Sequence, residues 1–117
     1  MDPKERLTAI CAAFPESVVE ESPPHVGFKV RGKTFGWYTS DHHGDDREAL
    51  TCKAAPGEQE SLIAADPDRF FRPAYLGHRG WIGVRLDVAG VDWDEVAEMA
   101  AESYRLVAPK RLAAQLK

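Results

Sequence analysis

Cysteine is scarce: Cys11 and Cys52 are the only two in 117 residues, each inside an apolar segment and not in a spaced cluster. A disulfide framework or a cysteine metal site is therefore not expected, and both read as reduced, small hydrophobic residues. Long apolar runs are missing too. Nothing approaches the roughly 20 residues of a membrane span, and the start, MDPKERLTAICAAFPE, has an acid at position 2 and no apolar core of signal-peptide length. Together these point to a cytoplasmic protein with no membrane partner. Gly-x-Ser-x-Gly, His-Glu-x-x-His, the P-loop and Gly-x-Gly-x-x-Gly are all absent, so the usual nucleophile and phosphate-cradling devices are missing and neither an enzyme nor a cofactor is expected. Excess positive charge is lacking as well: 15 Lys and Arg stand against 19 Asp and Glu, for a net charge of −4. That excludes a generally basic nucleic-acid coat.

What remains is an ordinary globular composition, 44% hydrophobic and 29% charged with nine Gly and eight Pro, which argues against disorder, collagen or a coiled coil. The length suits a single domain over 1–117 with one buried core, and a monomer is the simplest state.

Asp2-Pro3-Lys4-Glu5 combines a capping acceptor, a proline at the first helical position and an acid three residues after the cap. It predicts a helix start, and Leu7, Ile10, Cys11 and Phe14 form one apolar stripe that Pro15 ends. Glu20 to Pro24 reads as a polar turn. His25 to Arg31 alternates apolar and polar side chains as a half-buried strand does, and Gly32 permits reversal into a second strand, Lys33 to Tyr38. Ser40 to Arg47 has no apolar residue and reads as an exposed loop, followed by a strand over Ala49 to Ala54. Pro56 and Gly57 open a short helix with Leu62, Ile63 and Ala65 facing inward, ended by Pro67. Asp68 to Gly80 is a long connection that Phe70, Phe71 and Tyr75 should pin to the core. Trp81 to Asp87 alternates again, with Ile82, Val84 and Leu86 inward and Trp81 and Arg85 on the other face. Asp92 and Glu95 cap a last long helix whose apolar side is Trp93, Val96, Ala97, Ala100, Tyr104 and Val107, and Lys110 to Lys117 adds a basic turn or two. Helices interspersed with one-sided strands imply an α+β domain. Its architecture is a two-layer sandwich, a mostly antiparallel sheet with helices packed on one face.

Charge is segregated in a way the total hides. Segments 28–38, 49–54 and 79–86 carry Lys29, Arg31, Lys33, Lys53, Arg79 and Arg85 and no acid. Alternation projects these cations from the face away from the helices, with Trp81 beside Arg85, while Trp37 and Trp93 read as core residues. Cations beside an aromatic on a sheet face can hold phosphates and stack bases, so DNA or a single-stranded nucleic acid is a candidate ligand. An acidic protein partner or a small anion could use the same groups, and long basic side chains also occur on strand faces that meet only water. Asp41-His42-His43-Gly44-Asp45-Asp46 holds metal-donor atoms, but adjacent histidines on a loop lack the fixed separation of a metal site, so no metal is assigned. His25 and His78 sit beside turns with no acid partner in sequence, and Tyr104 reads as a core residue.

The hairpin Phe28-Lys29-Val30-Arg31-Gly32-Lys33-Thr34-Phe35, the strand Gly80-Trp81-Ile82-Gly83-Val84-Arg85-Leu86-Asp87 and the helix end Ser103-Tyr104-Arg105-Leu106-Val107-Ala108-Pro109-Lys110 resemble those of the MmcQ/YjbR family, from the first helix to Lys110. The resemblance implies an α+β fold similar to the frataxin (CyaY-like) and secretion-chaperone-like architectures, a DNA-binding role and no enzymatic activity. The family's recognisable positions, Lys29, Arg31, Lys33, Trp81 and Arg85, become candidate contacts, with Lys53 added from the charge pattern. Iron binding does not carry over from frataxin, because the first helix mixes Asp2 and Glu5 with Lys4 and Arg6 where an acidic ridge would be needed.

Overall fold

Glu5 N–H donates to the Asp2 carboxylate at 2.8 Å, the Glu5 carboxylate accepts from the Asp2 N–H, and Pro3 fills the first turn. This capping box starts α1 (Pro3–Ala12) where the sequence places it. The structure, a computed structural model, describes residues 1–41 and 47–116. Leu7 and Cys11 are its buried stripe, with Ile10 and Phe14 packed alongside.

Six strands follow: β1 (Ser17–Ser22), β2 (His25–Val30), β3 (Lys33–Ser40), β4 (Glu48–Lys53), β5 (Phe70–Phe71) and β6 (Trp81–Arg85). They form one sheet in the order β1-β2-β3-β4-β6-β5, and every pairing is antiparallel. Arg31 and Gly32, with φ of 50° and 79°, make the two-residue reversal between β2 and β3. Positive φ at both positions is what a type I′ hairpin turn demands, and glycine supplies it without strain at the second. Where Phe28 faces Gly36 and Lys29 faces Thr34, a bulge at Phe35 places one extra residue on β3.

α3 (Trp93–Val107) is capped by Asp92, whose carboxylate accepts the N–H groups of Asp94 and Glu95, each at 3.1 Å. With α1 it covers one sheet face, burying Val96, Ala100 and Tyr104 against Phe28, Phe35, Leu50, Ile82 and Val84. Tyr104 is edge-on to Phe35 at 5.3 Å between ring centroids, and Phe14 lies 5.2 Å from Tyr104. Among the described residues the remaining elements are α2 (Glu58–Ala65), a 3-10 turn (Gly77–Arg79) and α4 (Lys110–Ala113). The α+β architecture with an antiparallel sheet and helices on one face is therefore observed, and Ile82, Val84 and Leu86 face inward as the alternation requires.

Several local readings are corrected. The segment read as a turn from Glu20 begins inside β1, an edge strand whose only apolar residues are Val18 and Val19; Val18 faces water and Val19 faces Phe28, so its periodic signal is nearly nil. The connection after Asp68 contains the two-residue strand β5. In α2 the buried residue is Gln59, not Ala65: its amide donates to Gly77 O at 2.8 Å and Trp81 O at 2.5 Å, clamping helix to connection. Phe70 is buried as expected, whereas Tyr75 is 72% exposed and lies outside the core. Trp37 belongs to the helix-free face, because it pairs with Thr51 while its neighbours Tyr38 and Gly36 pair with core residues Leu50 and Cys52. Both cysteines are unpaired and buried, and burial pushes the Cys52 thiol up to about 12.

Candidate nucleic-acid interface

The cations singled out by sequence divide into two groups. Lys29 points from β2 onto the helix-free face, where its ammonium meets Glu20 of β1 at 3.1 Å. Arg85 forms a two-pronged contact with Asp87, Nε to Oδ1 at 3.0 Å and Nη2 to Oδ2 at 3.2 Å, which holds the Asp87 carboxyl below its ordinary range. Arg31 grips Glu16 through Nε to Oε1 at 2.5 Å and Nη2 to Oε2 at 3.0 Å, and this lowers the Glu16 pKa. Each of these three charges is thus offset locally. The uniformly basic sheet face is not what the fold builds, because β1 brings Glu20 onto that face and the chain before it brings Glu16 to the hairpin turn.

The second group gathers at one corner of the sheet. Lys33 opens β3, Lys53 closes β4, and Arg79 ends the 3-10 turn just before β6. With Thr34, Trp81, Leu106 and Val107 they line a hollow of about 310 Å³. A neighbouring hollow of about 420 Å³ shares Lys33 and Val107 and adds Arg31, Lys110, Ala108 and Pro109. Neither lining contains an acid. Among the described residues, Lys33, Lys53, Arg79 and Lys110 have no carboxylate within 4.0 Å, whereas Lys29, Arg31 and Arg85 each pair with one. Lys110 enters through the tertiary fold: it lies 77 positions from Lys33 in sequence, and α3 has to end over the β2–β3 turn for the two to meet.

Trp81 sits at this corner in register with Lys53 on β4, on the helix-free side as its parity predicts. Only 9% of it is exposed, and Lys53, Arg79 and Lys33 ring the part that lines the hollow. It is a wall of the hollow and too enclosed to serve as a flat stacking platform beside Arg85. The opposite end of the helix-free face is also roofed: Phe71 lies over Gly83, where a Cβ would come within 2.4 Å of the ring, and the connection from Pro73 to Leu76 arches over Trp37, Thr39 and Thr51.

The sequence model of the YjbR family matches residues 12–106. The chain belongs to the YjbR family. Among solved structures it is similar to the Deinococcus radiodurans protein DR2400, which carries a DUF419 domain of the same family; the two are 24% identical, with a TM-score of 0.73 over 91% of this chain and 78% of that one. At that identity the likeness shows the fold alone. No curated protein matches.

The Ser-Tyr pair on which the YjbR resemblance partly rests is structural here. Ser103, fully buried on α3, donates to Phe35 O at 2.5 Å and accepts the Lys53 N–H at 2.8 Å. It satisfies the carbonyl set askew by the bulge on β3 and the last amide of β4, and in doing so it fixes the backbone that carries Lys53. Tyr104 donates its hydroxyl to Pro15 O at 2.6 Å, and burial raises its pKa. The sequence already reads Tyr104 as a core residue with a hydrogen-bonding tip; the role of Ser103 was not legible, since it depends on a contact 68 positions away. No helix among the described residues is long and apolar enough to cross a membrane, and no three His, Cys, Asp or Glu among them are placed to hold a metal. The His42-His43 segment considered for metal lies outside the described residues.

Proposed function

We propose that this YjbR protein is a non-enzymatic nucleic-acid-binding protein that takes the phosphate backbone at the corner formed by Lys33, Lys53 and Arg79, with Lys110 extending the contact. The observation that carries this reading is the acid-free lining of two adjoining hollows in a chain whose net charge is −4. Local focusing of positive potential is what allows an acidic protein to attract a polyanion. The span of the corner suits a few phosphates of a single strand better than a long duplex, whose remaining length would run along the acidic body.

The test compares matched losses of charge. Replacing the unpaired Lys33 and Arg79 together, Lys33→Gln and Arg79→Gln, weakens binding of a labelled single strand of about 12 nucleotides by about tenfold at low salt. Replacing the paired Lys29 and Arg85 together, Lys29→Gln and Arg85→Gln, removes the same charge and changes affinity by less than about threefold. Fluorescence anisotropy reads both, and equal effects of the two pairs would contradict the assignment.

A further inference from the structure

A third hollow, of about 340 Å³, lies on the helix-free face away from the cationic corner, between the sheet and the connection Pro73 to Leu76. Its construction differs in kind. None of its lining side chains is an acid, a lysine or an arginine, so whatever it takes is uncharged where it is held. One wall is Trp37, half-buried, its six-membered ring set against Gly27, where a Cβ would stand 2.9 Å from the ring. Only glycine leaves room for the indole there. Across the opening is Tyr75, 72% exposed on the arching connection and held at φ of 64°. Two aromatic side chains thus line one cleft whose size falls within the range of small-molecule sites.

The floor is polar. Thr39 and Thr51, both buried, bring their hydroxyls to 3.5 Å of each other, and Thr39 Oγ1 is 3.5 Å from Ala49 O. At that length these are weak bonds, so both hydroxyls retain most of their capacity to donate and accept. At the rim, His25 Nδ1 accepts the Ser40 N–H at 3.1 Å. A flat ring with donors and acceptors on its edge satisfies all of this at once: aromatic walls for its faces, hydroxyls for its edge, no charge required.

We propose that this cleft binds an uncharged heteroaromatic ring of nucleobase type, stacked on Trp37 with its edge on Thr39 and Thr51. The inference deepens the nucleic-acid reading and rests on it for the source of the base. Thr51 and Lys53 are two residues apart on one face of β4, about 7 Å along the strand, so a base in the cleft would leave its backbone close to the cationic corner.

The experiment uses three probes on the full chain: adenosine, which has the ring and no charge; a short deoxyadenosine oligonucleotide; and an abasic strand of the same length. The indole N–H signal of Trp37, assigned in two-dimensional NMR by its loss in Trp37→Phe, reports occupancy. Adenosine is expected to move it saturably, with the effect weakened about tenfold in Tyr75→Ala, a change at an exposed site that leaves the core intact. If only the base-bearing strand moves the signal, the cleft still binds a base and the source is a polymer. If adenosine moves it and the two strands bind alike, the source is a free nucleoside or nucleotide. If adenosine leaves the signal unmoved and the two strands bind alike, the inference is overturned while the charge-based reading stands; if neither strand binds, that reading fails and adenosine alone decides the cleft.

Discussion

Ser103 shows how much one hydroxyl can hold. It is the shared partner of the Phe35 carbonyl on the bulged strand and the Lys53 amide at the end of its neighbour, and both partners are cut off from water beneath α3. Ser103→Ala leaves a buried acceptor and a buried donor without partners, at a cost of about 1–3 kcal/mol, which urea unfolding followed by circular dichroism measures. A loss below about 0.5 kcal/mol would mean that water or a backbone shift replaces both bonds. Gly27 and Gly83 work by the opposite means, since each is defined by a ring that lies where a side chain would be, Trp37 in one case and Phe71 in the other. Sequence offers no signal for either role. A glycine in an alternating strand reads as a weakness in the strand until the ring that needs the space is known.

At the scale of elements, what was legible follows from local physical chemistry. The capping box of α1, the Asp92 cap of α3 and the Arg31-Gly32 turn each depend on residues a few positions apart, and all three stand where the sequence predicts. β1 was not legible, because a polar edge strand with one core-facing valine has no period to detect. That omission propagated to the surface: without β1 there is no Glu20 beside Lys29, and the sheet face looks uniformly basic. Trp37 was misplaced for a related reason, a bulk-based assumption that the pairing with Thr51 overrules. The ties between acids and cations also give the fold its pH response. The Glu16 carboxyl, held below its usual 4.5 mainly by the Arg31 bond, and the Asp87 carboxyl, held below its usual 3.8 by Arg85, favour the folded state above those ordinary values. That contribution disappears as pH falls through the lowered folded-state values. Denaturation midpoints measured from pH 7 down to pH 3 should therefore fall at the acid end, and less so in the Glu16→Gln, Asp87→Asn double variant. At the alkaline end Tyr38, pushed up to about 12 by burial and its bond to Glu48, and Cys52, pushed to about 12 by burial, reverse the sign: both favour the fold below their ordinary values of 10.0 and 9.0, and lose that effect as pH rises toward 12.

At the scale of the whole molecule, net charge and local charge point in opposite directions, and the fold decides between them. In an acidic chain, Lys33, Lys53, Arg79 and Lys110 gather without carboxylate partners around the end of α3 and the β2–β3 turn, while Arg31, Lys29 and Arg85 are tied to Glu16, Glu20 and Asp87. Three of the corner's cations, Lys33, Lys53 and Arg79, were visible in the sequence's charge pattern, and Lys110 depended on tertiary closure. Association with a single strand measured across a range of salt concentrations tests the central claim most directly. Three or four phosphate contacts predict a slope of log Kobs against log salt of roughly −2 to −3, reduced by about 1.4 when Lys33 and Arg79 are both neutralised. A slope near zero, or one that the double neutralisation leaves unchanged, would show that the corner does not meet phosphate.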